Sequence, residues 1–269
     1  MPVSHDTYTL HRGRTPLLVS LPHVGTQISP EVAPRLVPRA LAVENTDWHL
    51  ECIYAFASDE LGASLLVPRY SRFVVDLNRP PENTPMYPGV NNTELCPTRF
   101  FSGDALYRDA CAPSEAEVTA RVQRYWRPYH DALAGELARL KGEHGHALLW
   151  DGHSIQSELP WLFEGRLPAL NLGTAGGASC AAALRARAIE VLAAQHHFSH
   201  VVDGRFKGGY ITRHYGRPAI GQHAVQLEMC WSCYMAEVAP FEVDPQRAAR
   251  LGPVLRALLQ AALAWRPDA

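Results

Sequence analysis

Short, dense apolar runs recur along the chain and alternate with stretches of helical period. LLVSL at 17–21, followed by Pro22 and His23, predicts a buried strand that ends in a loop. Residues 64–67 and 73–77 predict two more strands. ALLW at 147–150 predicts another, leading straight into Asp151-Gly152-His153-Ser154. Residues 169–172 and 209–215 are read as further strands. Ala224, Gln226 and Glu228 alternate with Val225, Leu227 and Met229, the period of a strand with one apolar face.

Helical signals lie between these runs. Asn45 or Thr46 is placed to cap a helix through Trp48, Ile53 and Phe56 towards Leu61. Ser114-Glu115-Ala116-Glu117 is a capping box. It opens a long helix with apolar positions at Val118, Val122, Tyr125, Trp126, Tyr129, Leu133, Leu137 and Leu140, which Pro128 is expected to kink. Residues 178–194 are Ala-rich and helical, and Asp244-Pro245 begins a last helix with aspartate as cap. The segment 80–101 is rich in Pro, Asn, Gly and Thr and has no period. A loop that long is usually functional, and it is read as an active-site wall and lid candidate.

Strands alternate with helices, and no linker or repeat divides the chain. The expected fold is α/β: a single three-layer α/β/α domain over 1–269 with a mostly parallel, mixed sheet. In such folds ligands sit beyond the carboxyl ends of the strands.

Composition adds exclusions. The net charge is −2 and no basic tract stands out, so nothing points to nucleic acid or an anionic membrane. No apolar run approaches the ~20 residues of a spanning helix. The polar N-terminus lacks a signal-peptide core, so a cytoplasmic location is expected. Of six cysteines only Cys230 and Cys233 have C-x-x-C spacing, which excludes a four-thiolate zinc site built from paired motifs. The pair is read as reduced, buried thiols beside Trp231, with a redox role as the alternative.

Candidate chemistry gathers at predicted strand ends. His23 follows LLVSLP, Asp76-Leu77-Asn78-Arg79 follows FVV, and His153 follows ALLWDG. A shared sheet edge would bring them together. Two imidazoles and a carboxylate suit a catalytic zinc ion with one position open for water. Glu228 is either the carboxylate that moves protons or a solvent-facing strand residue. Arg79 offers a planar fork for a carboxylate, with Asn78 beside it. Asp76 is placed to orient a metal-bound imidazole from behind, and the alternative for the run is a surface salt bridge after a strand, given Arg69 and Arg72.

These residues resemble the N-formylglutamate amidohydrolase (deformylase) family. The likeness rests on Leu21-Pro22-His23-Val24-Gly25, Asn45-Thr46-Asp47, Val75-Asp76-Leu77-Asn78-Arg79-Pro80, Asp151-Gly152-His153-Ser154, the run GGYITRHYG at 208–216, and Gln226-Leu227-Glu228-Met229. It implies hydrolysis of N-formyl-L-glutamate to formate and L-glutamate in histidine degradation. It also implies a fold similar to the zinc carboxypeptidases and aspartoacylases, whose first ligand pair is His-x-x-Glu.

By resemblance, His23 and His153 match metal ligands, Asp76 the partner of the first histidine, and Glu228 the general base. Asn78 and Arg79 match the groups that hold the substrate carboxylate. Thr26 stands where the glutamate ligand would be. Asp47 is taken as the middle ligand, with Glu44, His49 and Asp151 as alternatives. Arg213 is read as a second anchor or a rim residue, and Arg72 as a partner of the developing oxyanion or an anchor. Gly208 and Gly209 let the backbone approach a ligand. The expected cofactor is one divalent metal, zinc by ligand type, and the expected partner a small acidic N-acyl amino acid. Alternatives are another acyl group, C-terminal peptidase activity, or a relative that only binds acidic amino acids.

Overall fold

The computed structural model describes residues 3–86 and 91–267. Its strands are β1 (Val3–Ser4), β2 (Tyr8–His11), β3 (Leu17–Ser20), β4 (Ser64–Pro68), β5 (Ala147–Ile155), β6 (Leu170–Gly173), β7 (His200–Val202) and β8 (Gln222–Cys230). They form one sheet in the order β1-β2-β4-β3-β5-β8-β6-β7. The central β4, β3, β5 and β8 are parallel, as are β6 and β7. β2 joins β4, and β6 joins β8, antiparallel. The sheet is therefore mixed and mostly parallel. Its central strands are buried on both faces, which is why they read as unbroken apolar runs.

The α-helices are α1 (Leu50–Ile53), α2 (Ala55–Asp59), α3 (Glu115–Arg121), α4 (Arg127–His144), α5 (Ala182–Ala194), α6 (Tyr210–Tyr215) and α7 (Pro245–Ala264). Successive strand residues point to opposite faces. Leu17, Val19, Leu148, Trp150, Val225 and Leu227 enter a core covered by α1, α2, α5 and α7. Leu18, Ala147, Leu149 and Ala224 enter the other, covered by α3, α4 and α6. The result is three layers, as expected. Among the described residues no helix is long and apolar enough to cross a membrane.

Ser114 accepts the Glu117 amide, and Asp244 accepts those of Gln246 and Arg247, so both predicted caps form. Four local expectations are corrected. Asn45 and Thr46 cap no helix: Phe101 N donates to Asn45 Oδ1, and the Thr46 hydroxyl donates to Val43 O. Helix begins only at Leu50. Residues 73–77 are buried but form no strand. The Asp76 carboxylate accepts Asn78 N and turns the chain locally, the usual way such side chains compete with a ladder. Pro128 follows a π-helical turn, Val122–Trp126, that joins α3 to α4 and accommodates the missing amide. Residues 209–215 are helical from Tyr210, not extended.

One buried group of the second core carries a pH prediction. His130 on α4 meets Leu77 O and the Tyr215 hydroxyl at 2.9 Å each and stacks on Trp126. Burial pushes its pKa from 6.5 down to about 3, with the Leu77 bond opposing and His214 adding. The unfolded chain therefore takes up this proton first as pH falls. The stability is full above the unfolded value and is lost between 6.5 and about 3. The slope approaches ~1.4 kcal/mol per pH unit. Between pH 7 and 5 the wild type should lose about 2 kcal/mol more than His130→Gln in urea unfolding. Identical pH slopes for the two proteins would refute the assignment.

Candidate active site

The polar residues of β5 and β8 meet by register. Asp151 pairs with Gln226 and His153 with Glu228, so all four side chains share one face. His23 follows β3, which lies beside β5 in parallel. The candidates from separate parts of the sequence thus converge at one end of the sheet. β5 extends to Ile155, so His153 stands within the strand and not in a loop beyond it.

His23 and His153 turn their Nδ1 atoms towards each other, 3.2 Å apart. Asp47 Oδ2 lies 3.6 Å from the first and 3.3 Å from the second. Behind the rings, His23 Nε2 meets Asp76 Oδ1 at 2.7 Å, and His153 Nε2 lies 3.0 Å from Asp151 Oδ1. A carboxylate behind each imidazole fixes the ring and raises its basicity towards a metal. Two nitrogens about 2.0 Å from a tetrahedral zinc lie about 3.3 Å from one another. The donor triangle fits such an ion in kind and in size. The three residues are buried, and all three ligand atoms lie within 4.8 Å of one another.

Asp47 reaches this position on a constrained loop. Its amide donates to His23 O at 3.0 Å. Val43 and His49, either side of it, hold left-handed backbone with φ of 45° and 62°. Such conformations cost about 1–3 kcal/mol each and persist where surrounding contacts enforce them. The alternative middle ligands are engaged elsewhere. Glu44 pairs with Arg39, His49 Nε2 meets Phe241 O, and Asp151 sits behind His153.

Electrostatics follow from crowding carboxylates into a dry site. Burial opposes charge on Asp47 and Asp76, but their neighbours prevail and hold both below the usual carboxylate range. These are His153 and His23 for Asp47, and Arg72, His23 and Arg79 for Asp76. Burial likewise opposes a charged His153, yet Asp151, Asp47 and Glu228 raise its pKa well above 6.5. The field that favours a proton there also favours a cation. Glu228 is pushed up to about 8 by burial, with Asp47 and Asp151 adding and His153 and Arg72 opposing.

A cavity opens over this group. Arg72, Arg79 and Arg205 line it with Asn91, Asn92 and Thr93, and Phe101, Phe163 and Phe206 supply apolar wall. The segment 80–101 therefore does form part of the wall. As a lid candidate it includes residues 87–90, which lie outside the described residues. Arg72 donates to Asp76 Oδ2, and its Nη1 lies 3.3 Å from His23 Nδ1. Arg79 uses three N–H groups on Thr93 and on its neighbour's carbonyl, Asn78 O. The Asn78 amide is held at both ends, Oδ1 accepting Ile211 N and Nδ2 lying 3.0 Å from His153 Nε2. With His153 Nδ1 turned to the ligand triangle, Nε2 carries the proton and donates to Asp151, so Asn78 packs beside the ring and lines the cavity. A Cβ on Gly209 would lie 2.3 Å from Asn78 Nδ2, so glycine serves this amide as well as the cavity.

Arg213 is not brought to the cavity. It is exposed on α6, and its Nε donates to Gly208 O at 2.8 Å. Helical geometry at 210–215 turns Arg213 outward and Thr212 inward, where the Thr212 hydroxyl meets Asp151 Oδ2 at 2.9 Å. Arg205, which the sequence reading passed over, lines the cavity and donates to Leu162 O. Only its place beside the Gly-Gly pair could have signalled it. Cys230 and Cys233 are buried free thiols whose Sγ atoms meet Pro168 O and Ala169 O. Burial pushes the Cys233 thiol up to about 12 and Cys230 higher still, so this is packing and not a redox pair.

The family model of N-formylglutamate amidohydrolase matches residues 15–235. The chain is 52% identical over 260 residues to the N-formylglutamate deformylase of Pseudomonas aeruginosa, covering 97% of each chain. It is 49% identical over 257 residues to that of Pseudomonas putida, covering 96% of each. A crystal structure of N-formylglutamate amidohydrolase from Ralstonia eutropha superposes with a TM-score of 0.77 at 24% identity, over 96% of this chain and 97% of that one. A gene product of Agrobacterium tumefaciens superposes at 0.71 with 17% identity, over 97% and 96%. With the matched region spanning β3 to β8 and containing His23, Asp47, His153 and Glu228, the chain belongs to the N-formylglutamate amidohydrolase family.

Proposed function

We propose that this protein hydrolyses N-formyl-L-glutamate to formate and L-glutamate, using a divalent metal held by His23, Asp47 and His153. The observation that carries the metal reading is the buried His-Asp-His triangle with a carboxylate behind each ring. Zinc is the ion its donor types suit best. A bound divalent ion supplies Lewis acidity towards a water and a carbonyl.

The chain's own groups do the rest. Glu228, whose ionised form a nearby divalent cation would favour over the neutral form of the metal-free site, takes a proton from the attacking water as the carbon–oxygen bond forms. It then delivers that proton to the amine nitrogen as the carbon–nitrogen bond breaks. Arg72, beside His23, offers N–H groups to the negative charge that develops on the formyl oxygen. Arg79 and Arg205 hold the two substrate carboxylates, Arg205 replacing Arg213 in that role because it lines the cavity. Asp76 and Asp151 orient His23 and His153, and Asn78 lines the cavity beside them. The phenyl rings of the wall exclude water from the reacting carbon. Residues 1–269 act as one catalytic domain, in the cytoplasm, within histidine degradation.

The test is formate release from N-formyl-L-glutamate before and after chelation. Release that a chelator abolishes and zinc restores is the expected result. N-formyl-leucine should give a kcat/KM lower by a factor of about 100 or more, since the half-buried Arg79 and Arg205 would lack one of their two carboxylates. No release from folded, zinc-supplied protein overturns the substrate, and release unaffected by chelation overturns the metal.

A further inference from the structure

The run 73–78 is buried, continues into half-buried Arg79, carries Asp76 and Asn78, and yet has no strand partner. Its backbone carbonyls still need donors, because a buried carbonyl without one is costly. Three side chains from a single helical rod supply them. Arg121 Nη1 donates to Val74 O at 3.1 Å, His130 Nε2 to Leu77 O at 2.9 Å, and Trp126 Nε1 to Arg79 O at 3.0 Å. The Trp126 and His130 rings stack with centroids 3.6 Å apart and planes 19° apart, so the two donors brace each other. The Tyr215 hydroxyl meets His130 Nδ1, which leaves Nε2 to carry the proton that Leu77 O accepts.

The π turn explains how one rod does this. On an unbroken α-helix, residues five apart point about 140° away from each other. The turn at Val122–Trp126, with its i→i+5 bonding, brings Trp126 back towards the face of Arg121. His130, four residues on, continues that face. Alternate carbonyls, 77 and 79, are held from the helix side, while Asp76 reaches His23 and Asn78 reaches His153.

We infer that Trp126 and His130 are positioning residues for the hydrolysis: a stacked pair of ring N–H donors, aligned by the π turn, that sets the Asp76-Leu77-Asn78-Arg79 run against the metal-ligating histidines and the substrate carboxylate. Neither residue touches substrate. The catalytic part of this inference rests on the function proposed above, while the conformational part does not.

The variants are Trp126→Phe and His130→Leu, which remove one donor each and keep apolar bulk, and His130→Gln, which keeps an N–H near the same place. Hydrogen exchange of peptides covering 74–80 is read first, on zinc-loaded protein without substrate. Both donor deletions should exchange at least about tenfold faster there than wild type, with β5 and β8 unchanged, and His130→Gln should recover most of the protection. In steady-state assays the deletions should raise KM for N-formyl-L-glutamate and lower kcat together, with kcat/KM down about 10- to 100-fold, and His130→Gln should restore it. A merely structural role would lower Tm and spread exchange over α4 while leaving KM of the folded fraction unchanged. Wild-type exchange at 74–80 in both deletions overturns the clamp whatever the activity. Local loosening with unchanged KM and kcat overturns its catalytic role. Wild-type protein that releases no formate overturns the function proposed above and with it the catalytic part, and the exchange result then decides the conformational part alone.

Discussion

Glu228→Gln should reduce kcat for N-formyl-L-glutamate by about 10²- to 10⁴-fold, with KM changed far less. The substitution keeps the shape of a side chain that is buried near the carboxyl end of β8 beside His153, and removes only the oxygen that accepts a proton. The same variant carries a stability prediction of opposite sign. In metal-free protein burial raises the Glu228 pKa to about 8, above its unfolded value of 4.5. For an acid shifted upward, the folded chain holds its proton while the unfolded chain has lost it. The favourable contribution is complete below 4.5 and disappears as pH rises towards 8. Metal-free Glu228→Gln should therefore match wild type at pH 4.5 and exceed it at pH 7 by on the order of a few kcal/mol. A variant that is inactive and also less stable at pH 7 would indicate misfolding, and an active variant would remove Glu228 from the proton transfers. Full binding of N-formyl-L-glutamate by a wild type with no turnover would favour the binding-only reading instead.

Asp47→Ala should abolish zinc retention and formate release together. With zinc at about 1,000 times its dissociation constant, the wild type gains ~4 kcal/mol from binding the folded state alone. Its Tm should rise with added zinc, and that of Asp47→Ala should not. Metal content after gel filtration gives the same answer directly. Retention of one zinc per chain by Asp47→Ala would pass the ligand role to another group. Glu44 is tied to Arg39 and His49 to Phe241 O, so neither is poised to take it. Asp151 is held by Thr212 behind His153. Asp47 differs from a surface carboxylate in this respect: its charge is stabilised by two imidazoles, and its loop is fixed by Thr46 and the His23 carbonyl.

The fold and the site were legible to different depths. The central strands were visible because burial on both faces demands apolar residues at every position. The caps at Ser114 and Asp244 were visible because capping depends on side chains only two or three residues away. His23, His153 and Glu228 were legible as candidates because each belongs to, or directly follows, such a strand. Asp151 follows from the same logic, being two residues before His153 on one strand face, but strand period alone does not separate a ligand from a group behind one. The run 73–77 misled because an apolar segment can be buried without a ladder when side chains satisfy its backbone. That substitution by Arg121, Trp126 and His130 comes from residues some fifty positions away. Arg213 misled for a neighbouring reason, since a segment read as extended is helical and rotates that side chain to solvent.

By itself the sequence determined the layered α/β plan, the strand ends that carry chemistry, and the residue types fit for a metal, a base and carboxylate anchors. These follow from local periodicity and from the chemistry of single side chains. Only the tertiary structure decided that Asp47 completes the triangle, that Asp151 stands behind His153, that Arg205 and not Arg213 faces the cavity, and that a π turn aligns the donors under 73–79. Each of those depends on distances between segments far apart in the chain. Such distances are set by strand register, by backbone held in left-handed turns, and by the rule that buried polar groups must find partners wherever packing brings them.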